Sequence, residues 1–75
     1  MKKKVYEIVA SIMHVSAAEI NDDSSPQTLS KWDSLNHMKL IMALEEIFNV
    51  EFSDTDISLM KDVRSILERL SLRKC

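Results

Sequence analysis

The chain has 75 residues, with ten Lys and Arg against twelve Asp and Glu for a net charge of −2, which excludes a bulk electrostatic case for binding nucleic acid or an anionic membrane. It contains no glycine and a single proline amid abundant Leu, Ile, Met, Ala, Glu and Lys, which excludes glycine-dependent β-rich folds and favours helices. This length supports one domain over residues 1–75 with one small core, and leaves little volume for a deep catalytic cleft.

Val5, Ile8, Val9, Ile12 and Met13 recur at helical spacing, so a first helix is expected from about Lys3 to Val15. Lys2-Lys3-Lys4 ahead of an apolar stretch has the outline of a signal peptide, but Glu7 interrupts that stretch, which is too short and amphipathic to span a membrane or to direct secretion. Ser16 with Glu19 has the form of a capping box and predicts a brief extra turn through Ile20. Residues 21–32, with the only proline at Pro26, read as an ordered loop pinned to the core by Leu29 and Trp32, with Ser25 capping one short turn.

A second helix is expected from Asp33 or Ser34 to Phe48, ended by a left-handed Asn49. Ser53 or Asp54 caps a short third helix through Ile57 that ends near Leu59 or Met60. Asp62 caps the last helix, whose buried stripe is Val63, Ile66, Leu67 and Leu70. The fold class is therefore all-α: a small four-helix bundle of three main helices and one short one, with a long loop between the first two.

The second helix carries more apolar surface than one buried face requires. Leu40, Leu44, Ile47 and Phe48 form a stripe sufficient for the core. Leu35 and Met42 fit either core or surface, whereas Met38 and Ile41 are hard to bury together with that stripe and predict a partner-facing patch rimmed by Lys39, Glu45 and Glu46.

Ser34 begins this helix, and either it or Asp33 acts as an N-cap. The free N–H groups and dipole at a helix start also favour a negative group, so a phosphate ester on the Ser34 hydroxyl would be well tolerated. The nearness of Asp33, Ser34 and His37 does not make a hydrolase. One exposed helical turn has neither an oxyanion hole nor a substrate cleft, and His37 reads as a solvated surface histidine. No catalytic residues are assigned. His14, His37 and Cys75 match no zinc spacing, and the acids at Asp22, Asp23, Asp54 and Asp56 lack the glycine and terminal glutamate of a calcium loop, so no metal is expected. Cys75 is the single cysteine and forms no internal disulfide. It reads as an exposed terminal thiol, in keeping with a cytoplasmic location.

The run DSLNHMKLIMALEEIFNVEF, residues 33–52, resembles the core of acyl carrier proteins, in which Asp-Ser-Leu opens the second helix and a Leu-Glu-Glu…Phe segment closes it. The likeness extends over essentially the whole chain. It implies that Ser34 is esterified with the 4′-phosphopantetheine arm of coenzyme A by a separate phosphopantetheinyl transferase, which Asp33 and Leu35 help to dock. It also implies that the arm's thiol holds acyl groups as thioesters for acyl-loading, condensing or acyl-transfer enzymes. The chain would then be a tethered substrate and not an enzyme, acting as a monomer, with Met42, Leu44 and Ile57 bounding a cavity that shelters the acyl chain.

Asn36, His37 and Lys39 stand where carriers of general fatty-acid synthesis usually place acids, and Trp32 stands where a small residue often precedes Asp-Ser-Leu. Both point to a specialised carrier of one dedicated pathway, for a secondary metabolite, a modified lipid or a cell-surface glycan. A D-alanyl or aminoacyl carrier is also open, whereas a glycine-free chain lacks the peptidyl carrier's Gly-Gly motif. The alternative from another class is a small helical interaction module that is never modified.

Overall fold

In the computed structural model, which describes residues 2–74, the first apolar stripe forms α1 (Lys2–Met13) with Val5, Ile8, Val9, Ala10 and Met13 buried. The expectation of an exposed thiol at Cys75 lies outside the described residues. α1 stops because His14 turns left-handed, at φ 58°, and the Val15 N–H reaches back to the Ala10 carbonyl at 3.0 Å. In a chain without glycine, histidine takes the position that glycine fills in most such termini. The helix therefore ends at Met13 rather than at Val15.

The Ser16 and Glu19 capping box forms with both halves in place and starts a single 3-10 turn, Ala17–Glu19. Three longer-range helices follow: α2 (Ser34–Phe48), α3 (Asp54–Leu59) and α4 (Val63–Lys74). Among the described residues there is no strand. α2 ends at Asn49, whose φ of 55° is the expected left-handed terminator. α3 starts on a reciprocal capping box between Ser53 and Asp56.

The long loop is ordered by its own short side chains. Ser24 Oγ accepts the Asn21 N–H at 2.9 Å, and the Ser25 carbonyl accepts those of Thr28 and Leu29 at 3.0 and 2.9 Å. The loop also completes α4. The Ser24 carbonyl accepts the Val63 N–H at 3.0 Å and the Asp22 carbonyl that of Arg64 at 2.9 Å, while Asp62 Oδ1 takes the Ser65 N–H at 2.8 Å. These are first-turn donors that have no partner inside the helix. From the other side the Tyr6 hydroxyl donates to the Asp22 carboxylate, and the Lys2 ammonium lies 3.2 Å from it. The Tyr6 hydroxyl and Lys2 hold the Asp22 carboxyl below its ordinary range, and the bond to Asp22 holds the Tyr6 phenol above its own.

The core joins Val5, Val9 and Met13 of α1 to Leu40 and Leu44 of α2, Met60 after α3, and Val63, Ile66 and Leu70 of α4. Trp32, only 3% exposed, fills the gap under the loop as expected. The buried arc of α2 is rotated from the expected stripe. Leu40, Ile41 and Leu44 are its buried residues, with Ile41 1% exposed, whereas Ile47 is 49% exposed and Phe48 half-buried. At about 100° per residue, an arc centred between Leu40 and Ile41 takes in Leu44, Phe48 and His37 and turns Ile47 to the edge. Ile41 is therefore a core residue and not part of a partner face, and the solvated position expected for His37 is also overturned.

Candidate functional site

Asp33 is the residue just before the first turn of α2, and it takes the cap. Its extended backbone (ψ −176°) turns the carboxylate back, and Oδ1 accepts the Asn36 N–H at 2.9 Å. The Asp33 carbonyl accepts the His37 N–H at 2.8 Å, and Asn36 Nδ2 donates to the Lys31 carbonyl at 2.6 Å. Ser34 is the first helical residue. With the cap assigned to Asp33, its exposed hydroxyl is left at the surface. Among the described residues no acceptor pairs with the Ser34 or Leu35 N–H groups. A phosphate ester on Ser34 Oγ would therefore sit beside two free donors at the positive end of a 15-residue helix. The site fits such a group.

Beside Ser34 opens a cleft of about 870 Å³, lined by Trp32, His37, Met38, Ile57 and Met60. Of the three residues expected to bound an acyl cavity, only Ile57 borders this space. Leu44 is wholly buried in the core, and Met42 faces outward.

His37 is half-buried in that lining. The Trp32 indole N–H donates to His37 Nδ1 at 3.0 Å, and Nε2 faces the Ile57 carbonyl at 3.4 Å. Both ring nitrogens are engaged and neither reaches toward Ser34, while the Asp33 carboxylate is held in the cap. The three residues that superficially suggest a triad thus form no nucleophile–base pair.

Along the outer face of α2, Leu35, Met38 and Met42 form one continuous apolar stripe, 66%, 46% and 64% exposed. Lys39 and Glu46 stand exposed beside it. Glu45 does not share that freedom, because its Oε2 accepts the Phe52 N–H at 2.9 Å and ties α2 to the segment before α3. Of the expected partner patch, the structure brings Met38, Lys39 and Glu46 together, adds Leu35 and Met42, and withdraws Ile41 and Glu45.

One buried charge escaped the sequence reading. Asp56 is 1% exposed, and beyond its capping bond to the Ser53 N–H its carboxylate meets Arg73 at 2.6 Å and Arg69 at 3.5 Å. The Ser53 backbone bond first, then Arg73, hold the Asp56 carboxyl below its ordinary range. The capping half was visible in Ser53 and Asp56, but the arginine half joins residues 17 apart in sequence. Among the described residues no group of three His, Cys, Asp or Glu side chains is placed to hold a metal, and no helix is long and apolar enough to cross a membrane.

A family model described as the phosphopantetheine attachment site matches residues 3–70. The chain belongs to the acyl carrier protein family. It is 38% identical over 72 residues to an acyl carrier protein of Solidesulfovibrio magneticus, covering 96% of this chain and 92% of that one. It is 30% identical over 71 residues to one from Buchnera aphidicola subsp. Schizaphis graminum, covering 95% and 90%. In fold it resembles the solution structure of a holo acyl carrier protein from Geobacter metallireducens, with a TM-score of 0.86 at 21% identity over 96% of this chain and 83% of that one. As an acyl carrier protein it bears 4′-phosphopantetheine covalently and is a carrier, not an enzyme.

Proposed function

We propose that Ser34 is the attachment residue and that the chain presents acyl intermediates to the enzymes of one dedicated biosynthetic pathway. The observation that carries this is the division of work at the start of α2. Asp33 closes the helix, and the exposed Ser34 hydroxyl is left at the mouth of a cleft beside unpaired N–H donors.

The bound arm supplies a terminal thiol on which an acyl group is held as a thioester. The chain's own residues do the rest. Ser34 Oγ must lose its proton as the ester forms, yet Asp33 is fixed in the cap and both His37 nitrogens are engaged. Among the described residues neither Asp33 nor His37 hydrogen-bonds the hydroxyl, so its proton passes to a base of the separate transferase as the phosphoanhydride bond of coenzyme A breaks and the nucleotide leaves. The free Ser34 and Leu35 N–H groups stabilise the phosphodiester charge. The apolar stripe of Leu35, Met38 and Met42, rimmed by Lys39 and Glu46, is the surface offered to partner enzymes. Tethering then raises the local concentration of the acyl group at each partner's active site.

The dedicated pathway is supported by charge. Lys39 places a cation beside that stripe, and acids outnumber bases by only two over the chain, twelve against ten. Intact mass after incubation with coenzyme A and a broad-specificity phosphopantetheinyl transferase tests the attachment site. The wild type is expected to gain one phosphopantetheine group and Ser34→Ala none. A modified alanine variant, or a wild type that is never modified, overturns the assignment.

A further inference from the structure

His37 lies one turn after Ser34, inside the buried arc of α2, and the carrier reading gives it no task. Its surroundings do. An indole N–H donates and never accepts, so the His37 Nδ1 that Trp32 reaches at 3.0 Å is the unprotonated nitrogen. The proton of the neutral ring then belongs on Nε2, which faces the Ile57 carbonyl at 3.4 Å. A carbonyl only accepts, so both contacts select the same tautomer. The Trp32 and His37 rings also stack, with centroids 6.2 Å apart and planes 24° from parallel.

This histidine therefore links three elements: the long loop through Trp32, α2 through its own backbone, and α3 through Ile57. All three residues line the cleft that opens at Ser34. α3 is six residues long, too short to hold itself as a helix without neighbours. Asp56 ties it to Arg69 and Arg73 of α4, and His37 is its polar tie to α2.

The geometry points to His37 as a positioning residue: in the neutral Nε2–H form it holds the Trp32 and Ile57 walls of the cleft in place beside Ser34, and protonation breaks that link. A second proton would sit on Nδ1 and face the indole N–H, setting donor against donor at a half-buried ring and leaving the Trp32 N–H unsatisfied. The consequence for cargo rests on Ser34 being the attachment residue, because this cleft opens beside Ser34. The link itself does not depend on that reading. The charged groups around the cleft are Asp23 of the loop, Asp33 at the α2 cap, Asp54 of α3, and Lys61 and Asp62 beyond it. The other histidine, His14, is exposed at the end of α1, so His14→Gln serves as the control.

The test is nuclear magnetic resonance on the unmodified full chain. Ring 15N shifts report the His37 tautomer, and hydrogen exchange of the Trp32 indole N–H, corrected for the pH dependence of the intrinsic rate, reports the bond. The wild type and His14→Gln are expected to show the Nε2–H form at pH 8. Indole protection should then drop by about fivefold, the size of one net hydrogen bond, as His37 titrates. His37→Asn keeps an acceptor near the Nδ1 position and does not titrate, so protection persists without a step. His37→Phe keeps the stacked ring without either bond, so protection is low at every pH. In the transferase assay the phenylalanine variant should raise KM for the carrier several-fold, and asparagine should restore it. An Nδ1–H tautomer, an unchanged indole while His37 titrates, or a phenylalanine variant as protected as the wild type overturns the proposal. Failure of Ser34 to be modified would overturn the attachment site alone, since the exchange data are recorded without the arm.

Discussion

The Asp33 carboxylate accepts the Asn36 backbone N–H at 2.9 Å, which closes α2 one residue before Ser34 and leaves the serine free of any capping duty. Two neighbouring substitutions should therefore separate cleanly. Asp33→Ala is expected to destabilise the fold by about 1 kcal/mol through loss of the cap. Ser34→Ala should stay within about 0.5 kcal/mol of the wild type, because it is exposed and bonds nothing that alanine would orphan. Urea denaturation of both variants checks this, and a larger loss for Ser34→Ala than for Asp33→Ala would mean that the serine holds the helix.

Trp32 is the anchor of a loop that otherwise holds itself with short polar side chains. Trp32→Ala removes a buried indole and its bond to His37, and is expected to cost about 3–5 kcal/mol. That is a large part of the stability of so small a chain. The wild-type emission spectrum should be blue-shifted relative to free indole in water and should shift to the red on unfolding. An emission maximum already at the aqueous position in the native state would contradict the burial.

Acid should weaken the fold in a direction set by Asp56. Its carboxyl lies below the ordinary range in the folded state, held there by the Ser53 backbone bond and by Arg73. Between the folded and unfolded values the unfolded chain binds more protons. This contribution is therefore fully present above the unfolded carboxylate value of about 3.9, and is lost as pH falls through the lower folded value. Asp22, held low by Tyr6, and Asp62, held low by Ser65, act with the same sign. Asp56→Asn should be less stable than the wild type at pH 7 and lose less on going from pH 5 to pH 2. Denaturation series across that range measure both, and parallel acid slopes for the two proteins would remove Asp56 as a source.

Lys39 sits exposed beside Leu35, Met38 and Met42 on the outer face of α2. Enzymes that offer basic residues to an acidic carrier helix meet a like charge there, which slows encounter and excludes wrong partners. General fatty-acid synthase enzymes are expected to turn over the loaded wild type poorly. Lys39→Glu should raise the steady-state rate several-fold at low salt and less at moderate salt, where screening shortens the reach of the charge. Equal rates for both carriers at both salt levels would show that this face does not choose the partner.

What the sequence determined by itself were features settled within a turn or two of chain, although the left-handed His14 that ends α1 was not among them. The Ser16–Glu19 and Ser53–Asp56 capping boxes, the left-handed Asn49, and the apolar spacing of α1 and α4 each depend on residues three or four apart. Bonds of that reach form in almost any packing. Ser34 was legible for the same reason, as a residue at a helix start with Asp33 before it and Leu35 after it. The tertiary structure alone decided how α2 is rotated. A helix with apolar residues around most of its circumference specifies no single buried arc, and packing against its neighbours put Ile41 inside and left Ile47, Met42 and Leu35 out. That same rotation carried His37 into the wall with Trp32 and Ile57. Glu45 found Phe52, and Asp56 found Arg73, only because separate elements met in space. No periodicity within one helix encodes which side chain of another will stand opposite it.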